Sequence, residues 1–348
     1  MQASAQFDTH YRSIYVKRLS IIIGLCIALV LSLMLDLTAG PAQLGLAEII
    51  QGIIDPQSLS LRHQIILWDV RLPDALIALA VGAALGLAGI ETQTILNNPL
   101  ASPFTLGVSA LATLGASLAI VVAPVIPFLP NNAVLPAMAL LFALLGGGLI
   151  LAFTKFSGGA RESVVLFGIA LVFLANALTA ALQYVASAEA VQAIVFWTIG
   201  NLTKVGWNEL FIVSFVFVCV LPFSLRHVWL MTLIRGGEAQ AKSLGLNVSR
   251  LRALVIFRVS ILAAFAVCFV GAIGFVGLVG PHIARMLLGE DHRLLVPGSI
   301  LCGALILSLA SFLSKALLPG VIIPVGILTS VIGVPIFLFL IAKQRKVS

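Results

Sequence analysis

The chain has 348 residues, of which 61% are hydrophobic and only 9% charged, with a mean hydropathy of +1.16. Soluble domains carry about 25% charged residues, so these totals exclude a soluble globular enzyme and imply a membrane-embedded chain. The net charge of +7 is no nucleic-acid footprint, because no basic stripe with interleaved aromatics accompanies it; lysine and arginine gathered on the cytoplasmic side of a bilayer account for it instead.

Residues 1–18 read as a polar, basic cytoplasmic leader, and the first apolar run, Leu19 to Leu37, follows Arg12, Lys17 and Arg18. That run is long for a signal-peptide core and lacks a cleavage site before the next polar stretch, so it reads as a retained span. Residues 38–70 read as a mixed loop ending in Trp68-Asp69-Val70-Arg71, a residue mix suited to the outer interface. Span two, 72–92, carries Gly82, Gly86 and Gly89 among alanines. Small residues at this spacing let helices approach closely where lipid supplies no hydrophobic drive for association. Asn97-Asn98-Pro99 opens a turn. Span three (104–122), a proline-rich loop (124–136), span four (137–153), a short basic loop around Gly158-Gly159 and span five (163–184) follow. Residues 188–200 are too few to cross the hydrocarbon core, which takes about 20. They read as a short re-entrant or surface helix facing outward, closed by the turn Gly200-Asn201-Leu202. Span six is 207–225.

Residues 226–252 form the longest polar segment after the first loop, with Arg226, Arg235, Lys242, Arg250 and Arg252. Within it, 236–246 predicts a short helix that stops at Gly245, where a residue without a side chain permits a left-handed turn. A polar, glycine-bounded helix between two spans is a place for a partner to dock. Span seven (253–270) contains Arg258, which reads as snorkelling to the interface. Spans eight (272–288), nine (295–313) and ten (323–342) follow, then a basic tail over 343–348. Ten spans put both termini on one side. With the N-terminus inside, 16 of the 20 lysines and arginines fall on the inner side, and only Arg62, Arg71, Lys204 and Lys315 fall outside. That is the asymmetry of the positive-inside rule. The expected architecture is all-α: one transmembrane domain over 1–348, with ten transmembrane helices plus short re-entrant and cytoplasmic coupling helices.

No enzyme constellation is present. Gly146-Gly147-Gly148 lies in an apolar run with no Gly-Lys-Ser or Gly-Lys-Thr after it, and no paired carboxylates or metal-ligand spacing occurs. The cysteines at 26, 219, 268 and 302 read as apolar buried thiols. His282 reads as a hydrogen-bonded structural histidine. Asp36 and Asp74 lie at span ends and Glu91 near an inner edge. Ion-coupled transporters place ionisable relays in the membrane interior, so their scarcity sends the coupling energy elsewhere, and 226–252 is the entrance.

Several stretches together resemble the permease subunits of bacterial ABC importers for iron–siderophore complexes, haem and cobalamin, over nearly the whole chain. They are Arg71-Leu72-Pro73, Gly82 to Gln93, Asn98-Pro99-Leu100-Ala101-Ser102-Pro103 with Leu106-Gly107-Val108-Ser109, and Trp197-Thr198-Ile199-Gly200-Asn201-Leu202 with Trp207. Later come Ala241 and Leu244-Gly245, Gly274 to Arg285, Gly289 to Arg293, and Pro324-Val325-Gly326 with Gly333-Val334-Pro335. The resemblance implies a homodimer, or a heterodimer with a paralogous permease, around a central pathway. Two cytoplasmic ATPases would supply ATP and Mg chemistry that this subunit does not hold, and an external, periplasmic-type binding protein would deliver substrate. The ATPase-coupling residues it implies are Arg235, Gly236, Glu238, Ala241, Leu244, Gly245 and Leu246. It places Asn98, Pro99, Trp197, Gly200, Asn201, Pro281, His282 and Arg285 at the pathway. Arg62, Arg71 and Lys315 would dock the binding protein as outward rim charges, which mainly steer association.

The chain departs from the family at Asp74, where a basic residue is usual, at Ser311, where an aspartate is common, and at Ile323, where a glutamate is common. These departures touch the outer mouth rather than the ATPase face. The expectation is a non-enzymatic permease for a ferric siderophore in the bacterial inner membrane, with cobalamin and haem next in order. An ion-coupled secondary transporter would call for buried carboxylates and inverted repeats, and a receptor subunit for a large external or cytoplasmic domain.

Overall fold

Long apolar runs cannot leave backbone polar groups unpaired in hydrocarbon, and helices satisfy them internally. The computed structural model describes residues 2–42, 44–122, 131–157, 160–203, 205–318 and 320–344, and among these the chain is helical throughout. Among the described residues, seven helices are long and apolar enough to cross a membrane. They are α1 (Gln2–Thr38, apolar from Tyr15), α4 (Leu72–Ile95, continuous with a helical approach from Leu61), α6 (Asn131–Phe156), α7 (Arg161–Val185), α9 (Trp207–Arg226), α12 (Val248–Val270) and α14 (His292–Ala316). The chain is a multi-pass membrane protein.

Four shorter apolar helices complete the set: α5 (Val108–Val122), α8 (Ala188–Ile199), α13 (Val276–Leu288) and α15 (Val325–Gln344, apolar to Phe339). Three of them stand where the sequence predicts span three, the short, glycine-rich span eight and span ten. Their 13 to 20 residues follow stretches that enter without helix. Before α13, Gly271 (φ +76°) and Phe275 (φ +65°) hold the backbone in the left-handed region, so helix begins only at Val276. At 1.5 Å per residue its 13 residues cover about 20 Å, less than the hydrocarbon core of about 30 Å.

The predicted loop over 38–70 is largely helical. It holds α2 (Leu46–Ile54), a 3₁₀ turn (Pro56–Ser58), α3 (Leu61–Ile65) and a π-helical stretch (Ile66–Arg71) that runs into α4. Asp55 caps the turn through Gln57 N–H (3.1 Å), Ser60 caps α3 through His63 N–H (3.3 Å), and Leu37, Ile49, Leu67 and Ala75 form a small core beneath. Between the short helices α10 (Val228–Arg235) and α11 (Glu238–Ser243) and their flanking spans the chain turns tightly.

Helix α4 is the axis of the molecule. All but three of its 24 residues are buried, against α14, α12, α13 and α9. Close approach explains the glycines. A Cβ on Gly82 would sit 2.5 Å from the Gly303 carbonyl of α14, one on Gly86 would strike the Ser299 carbonyl, and one on Gly89 would strike that of Gly277 in α13. Helices α7 and α9 instead expose Leu166, Phe173, Phe211, Phe215 and Val218, as a lipid-facing surface should. The expected burial of all four cysteines holds for Cys268 and Cys302 only, since Cys26 and Cys219 lie on exposed faces. The sequence-predicted features at 124–130, Gly158-Gly159, Lys204 and 345–348 lie outside the described residues.

Candidate coupling surface and cavity

The α10–α11 segment is built by short-range rules. Val228, Met231 and Ile234 recur at three-residue spacing and are buried, which fixes α10 on the body and turns Trp229 outward. Helix α11 begins after Gly237 and buries Ala241 completely. It ends as the sequence predicts. Leu246 N–H donates to the Ala241 carbonyl (3.1 Å) and Gly245 N–H to that of Lys242 (2.9 Å), with Gly245 at φ +83°. Nothing lies within 4 Å of a Cβ built on Gly245, so backbone conformation, not space, requires glycine there. Leu244 beside it is 64% exposed, a large apolar side chain presented on a polar segment.

Two carboxylates tie this segment to the body. Glu238 receives Arg252 of α12 (3.1 Å), Lys242 one turn on (3.2 Å) and Arg161 at the start of α7 (3.2 Å). Partial burial works to raise the Glu238 pKa, but Lys242 and Arg252 outweigh it and hold the carboxyl below its usual range. Glu290, in the turn before α14, receives Arg235 (3.1 Å) and Arg285 (3.3 Å), and Arg235 also donates to Asn97 Oδ1 (3.2 Å). Nearby, Asp291 accepts Arg293 (2.7 Å), a contact that lowers its pKa, and the Arg293 guanidinium lies 4.8 Å over the Trp229 ring.

Inside the body the charges pair. Arg258 does not snorkel. It is buried and grips Glu91, itself fully buried, through Nη2–Oε1 (2.8 Å) and Nε–Oε2 (3.3 Å). Its third arm reaches His227 Nδ1 (3.3 Å). At the opposite end of α4, Lys315 meets Asp36 of α1 (3.0 Å), and Ser311 donates to the same carboxylate (2.8 Å). Arg71 donates to the carbonyls of Leu37 (2.7 Å) and Ala42. Arg71 and Lys315 are therefore interior clamps rather than the rim charges expected of them, while Arg62 stays exposed.

A cavity of about 640 Å³ lies among α5, α7, α8, α15 and the 271–275 stretch. Ser109, Thr113, Asn176, Thr198 and Ser330 supply its polar surface, beside Phe104 and Phe275, and among the described residues no ionisable side chain lines it. Non-helical backbone at 271–275 is tolerated where it borders such a cavity. The predicted pathway residues divide. Gly200 (φ +77°) and Asn201 close α8 against 270–272, with Asn201 N–H on the Val270 carbonyl (2.7 Å), and Trp197 packs behind the wall. Asn98 lines a second cavity of about 420 Å³, beside Pro99. Pro281 and Arg285 lie on α13, toward the Glu290 cluster. His282 makes no hydrogen bond to any described residue, contrary to expectation. The buried structural histidine is His292, which meets Thr94 Oγ1 at 2.8 Å.

Sequence reasoning missed Glu91–Arg258, Asp36–Lys315 and Glu238–Arg161. Their only signal was opposite charges at the ends of different spans. Among the described residues no group of three histidines, cysteines or carboxylates could hold a metal ion.

The model of the FecCD transport family matches residues 27–343. The chain belongs to the FecCD transport family. Over 342 residues it is 36% identical to a Methanocaldococcus jannaschii protein named as an ABC transporter permease, covering 96% of this chain and 97% of that one. It is 34% identical to the hemin transport system permease of Yersinia pestis over 290 residues (80% and 84%). It is also 34% identical to the molybdate import system permease of Haemophilus influenzae over 332 residues (94% and 96%). A solved structure of an inward-facing, metal-chelate type ABC transporter superposes with a TM-score of 0.82 at 34% identity, covering 93% of this chain and 99% of that one. This FecCD member is the permease subunit of an ABC-type importer, a transport protein whose system includes an ATPase and a substrate-binding protein.

Proposed function

We propose that the chain forms part of the translocation pathway for a ferric siderophore. The supporting observation is the cavity lining, which offers hydroxyls, one amide and aromatic rings but no ionisable group. A bare oxyanion calls for cations or charge-assisted donors. A large chelate, whose metal is already fully ligated, presents apolar and hydroxyl surface that this lining suits. Haem and cobalamin share that property and stand next. In this reading the single transmembrane domain crosses the bacterial cytoplasmic membrane ten times. The seven long helices, α5, α13 and α15 make the passages, α8 re-enters, and both termini are cytoplasmic. Residues 235–246 receive one of two ATPases, Arg62 faces the binding protein, and a second permease copy or paralogue completes the path.

ATP-dependent uptake into vesicles holding this subunit, its ATPase and its binding protein tests the reading. Iron-55 is supplied on hydroxamate, catecholate and citrate carriers, with haem and cobalamin in parallel. Uptake of one iron chelate that Gly245→Trp abolishes is the expected result, because a side chain at φ +83° strains the turn and projects into the open face. Uptake of haem or cobalamin alone would overturn the substrate and keep the importer.

A further inference from the structure

Glu91 and Thr94 share one face of α4 near its end, and Asn97 lies just past it. Each meets a different element. Glu91 takes Arg258 of α12, Thr94 takes His292 at the start of α14, and Asn97 takes Arg235 at the end of α10. Arg258 in turn reaches His227, the residue that precedes α10. The eight-residue α10 thus meets the end of α4 from both of its own ends, at its start through His227 beside the Arg258–Glu91 pair and at its finish through Arg235 on Asn97, just past α4.

The far side of α4 is locked by backbone contact. Gly89 abuts Gly277 of α13, Gly82 and Gly86 abut Gly303 and Ser299 of α14, and Gln93 Nε2 donates to the Leu278 carbonyl (3.2 Å). Helix α13 follows directly on the 271–275 stretch that lines the cavity. A displacement of α10 that reaches α4 therefore reaches the cavity wall without crossing any loose contact.

Stability alone does not call for the buried pair, since well-packed apolar residues of similar volume serve as well or better. What the guanidinium adds is a fixed two-pronged grip on Glu91 with a third arm for His227. His227 Nδ1 also lies 2.6 Å from the Phe223 carbonyl. One ring nitrogen either donates to a carbonyl or accepts from a guanidinium. The outer link can be made and released while the inner pair stays whole.

We propose that Glu91 and Arg258, acting through His227, are the positioning residues that carry movement of the 228–246 segment into α4 and on to the cavity wall. The proposal rests on reading that segment as the ATPase-coupling surface. The test uses the assembled importer in nanodiscs, with the four native cysteines replaced and a reporter Ser330→Cys in the cavity wall. The rate of labelling by a water-soluble maleimide is measured with and without ATP and vanadate, alongside ATP hydrolysis.

The variants are Glu91→Met with Arg258→Met, which replaces the pair by apolar volume, and His227→Ala, which removes the outer link and leaves the pair intact. The expected result is continued hydrolysis with the nucleotide-dependent change in labelling reduced at least about five-fold, the lower end for coupling between distant sites. A wild-type change in His227→Ala, or in the paired methionine variant where it folds, overturns the proposal, as does an unvariant complex whose labelling ignores nucleotide. Gly245→Trp separates the two failures. If it leaves both ATPase assembly and the labelling response intact, the coupling reading itself falls and takes the proposal with it.

Discussion

The two ends of α4 carry similar chemistry in different surroundings. At the start, Asp36 and Lys315 pair with side chains 0% and 6% exposed. Past the other end, Glu238 and Glu290 hold five cation contacts with side chains 22% and 48% exposed. Ion pairs near water exchange partners at little cost, whereas a buried charge stripped of its partner is left unsolvated. The first end is built to stay closed, and the second holds ion pairs that water can reach.

The sharpest way to break this comparison is Lys315→Ala. It leaves the Asp36 carboxylate buried with the Ser311 hydroxyl as its hydrogen-bond donor and Arg71 as the nearby cation, and a single-partner deletion of a buried pair costs about 3–5 kcal/mol. The thermal midpoint of the purified subunit should fall steeply, and Asp36→Leu with Lys315→Met should recover most of it. An unchanged midpoint in Lys315→Ala would mean that this end is as wet as the other.

Between the ends, α4 acts as a strut only if its glycine contacts are tight. Gly89→Ala forces a Cβ into the Gly277 carbonyl, and overpacking of this kind costs about 1–3 kcal/mol. The same substitution at Gly148, which has nothing within 4 Å of a built Cβ, should be neutral or slightly stabilising. Equal midpoints for the two variants would remove the strut.

The strut and the turn at Gly245 were readable from the sequence; the clamps were not. Gly82, Gly86 and Gly89 repeat on a helical period, and Gly245 ends a polar run, so local pattern carries their meaning. Glu91 and Arg258 are 167 positions apart, and Lys315 lies 279 positions after Asp36. A charge read alone is assigned to the nearest interface, which is how Arg258 came to be expected at the surface and Arg71 and Lys315 at the rim. Span eight reads as short and glycine-rich, but the non-helical entry that shortens α13 further escaped for a related reason. Apolar composition marks 271–275 as membrane-compatible but does not distinguish helix from the left-handed kinks at Gly271 and Phe275. The long spans were legible as helices, whereas the short helices of 46–71, lying in what composition marks as a mixed loop, were not.

At the exposed end the effects should be smaller and should depend on pH. Because the Glu238 pKa is lowered from 4.5, its contacts favour the folded state above that value. That contribution disappears as pH falls through the lower, folded pKa. Glu238→Gln keeps an amide oxygen to which the buried Arg252 can still donate, so its cost at pH 7 should stay at about 1 kcal/mol, the range for solvent-screened pairs. The difference from the unsubstituted protein should vanish in acid. A difference that persisted in acid would mean that Glu238 acts through its shape rather than its charge.

The smallest effect belongs to Arg62, which is exposed beside the Ser60 cap and has no part in either clamp. Arg62→Glu should leave the thermal midpoint in place, because no buried group loses a partner. Its effect should fall on association with the binding protein, as a slower on-rate at low salt that converges with the unsubstituted rate once ions screen the rim. A loss that persisted at high salt would mean that Arg62 makes a desolvated contact in the docked complex. The contrast between sealed and exchangeable charges would then extend to a third surface that closes only when the partner arrives.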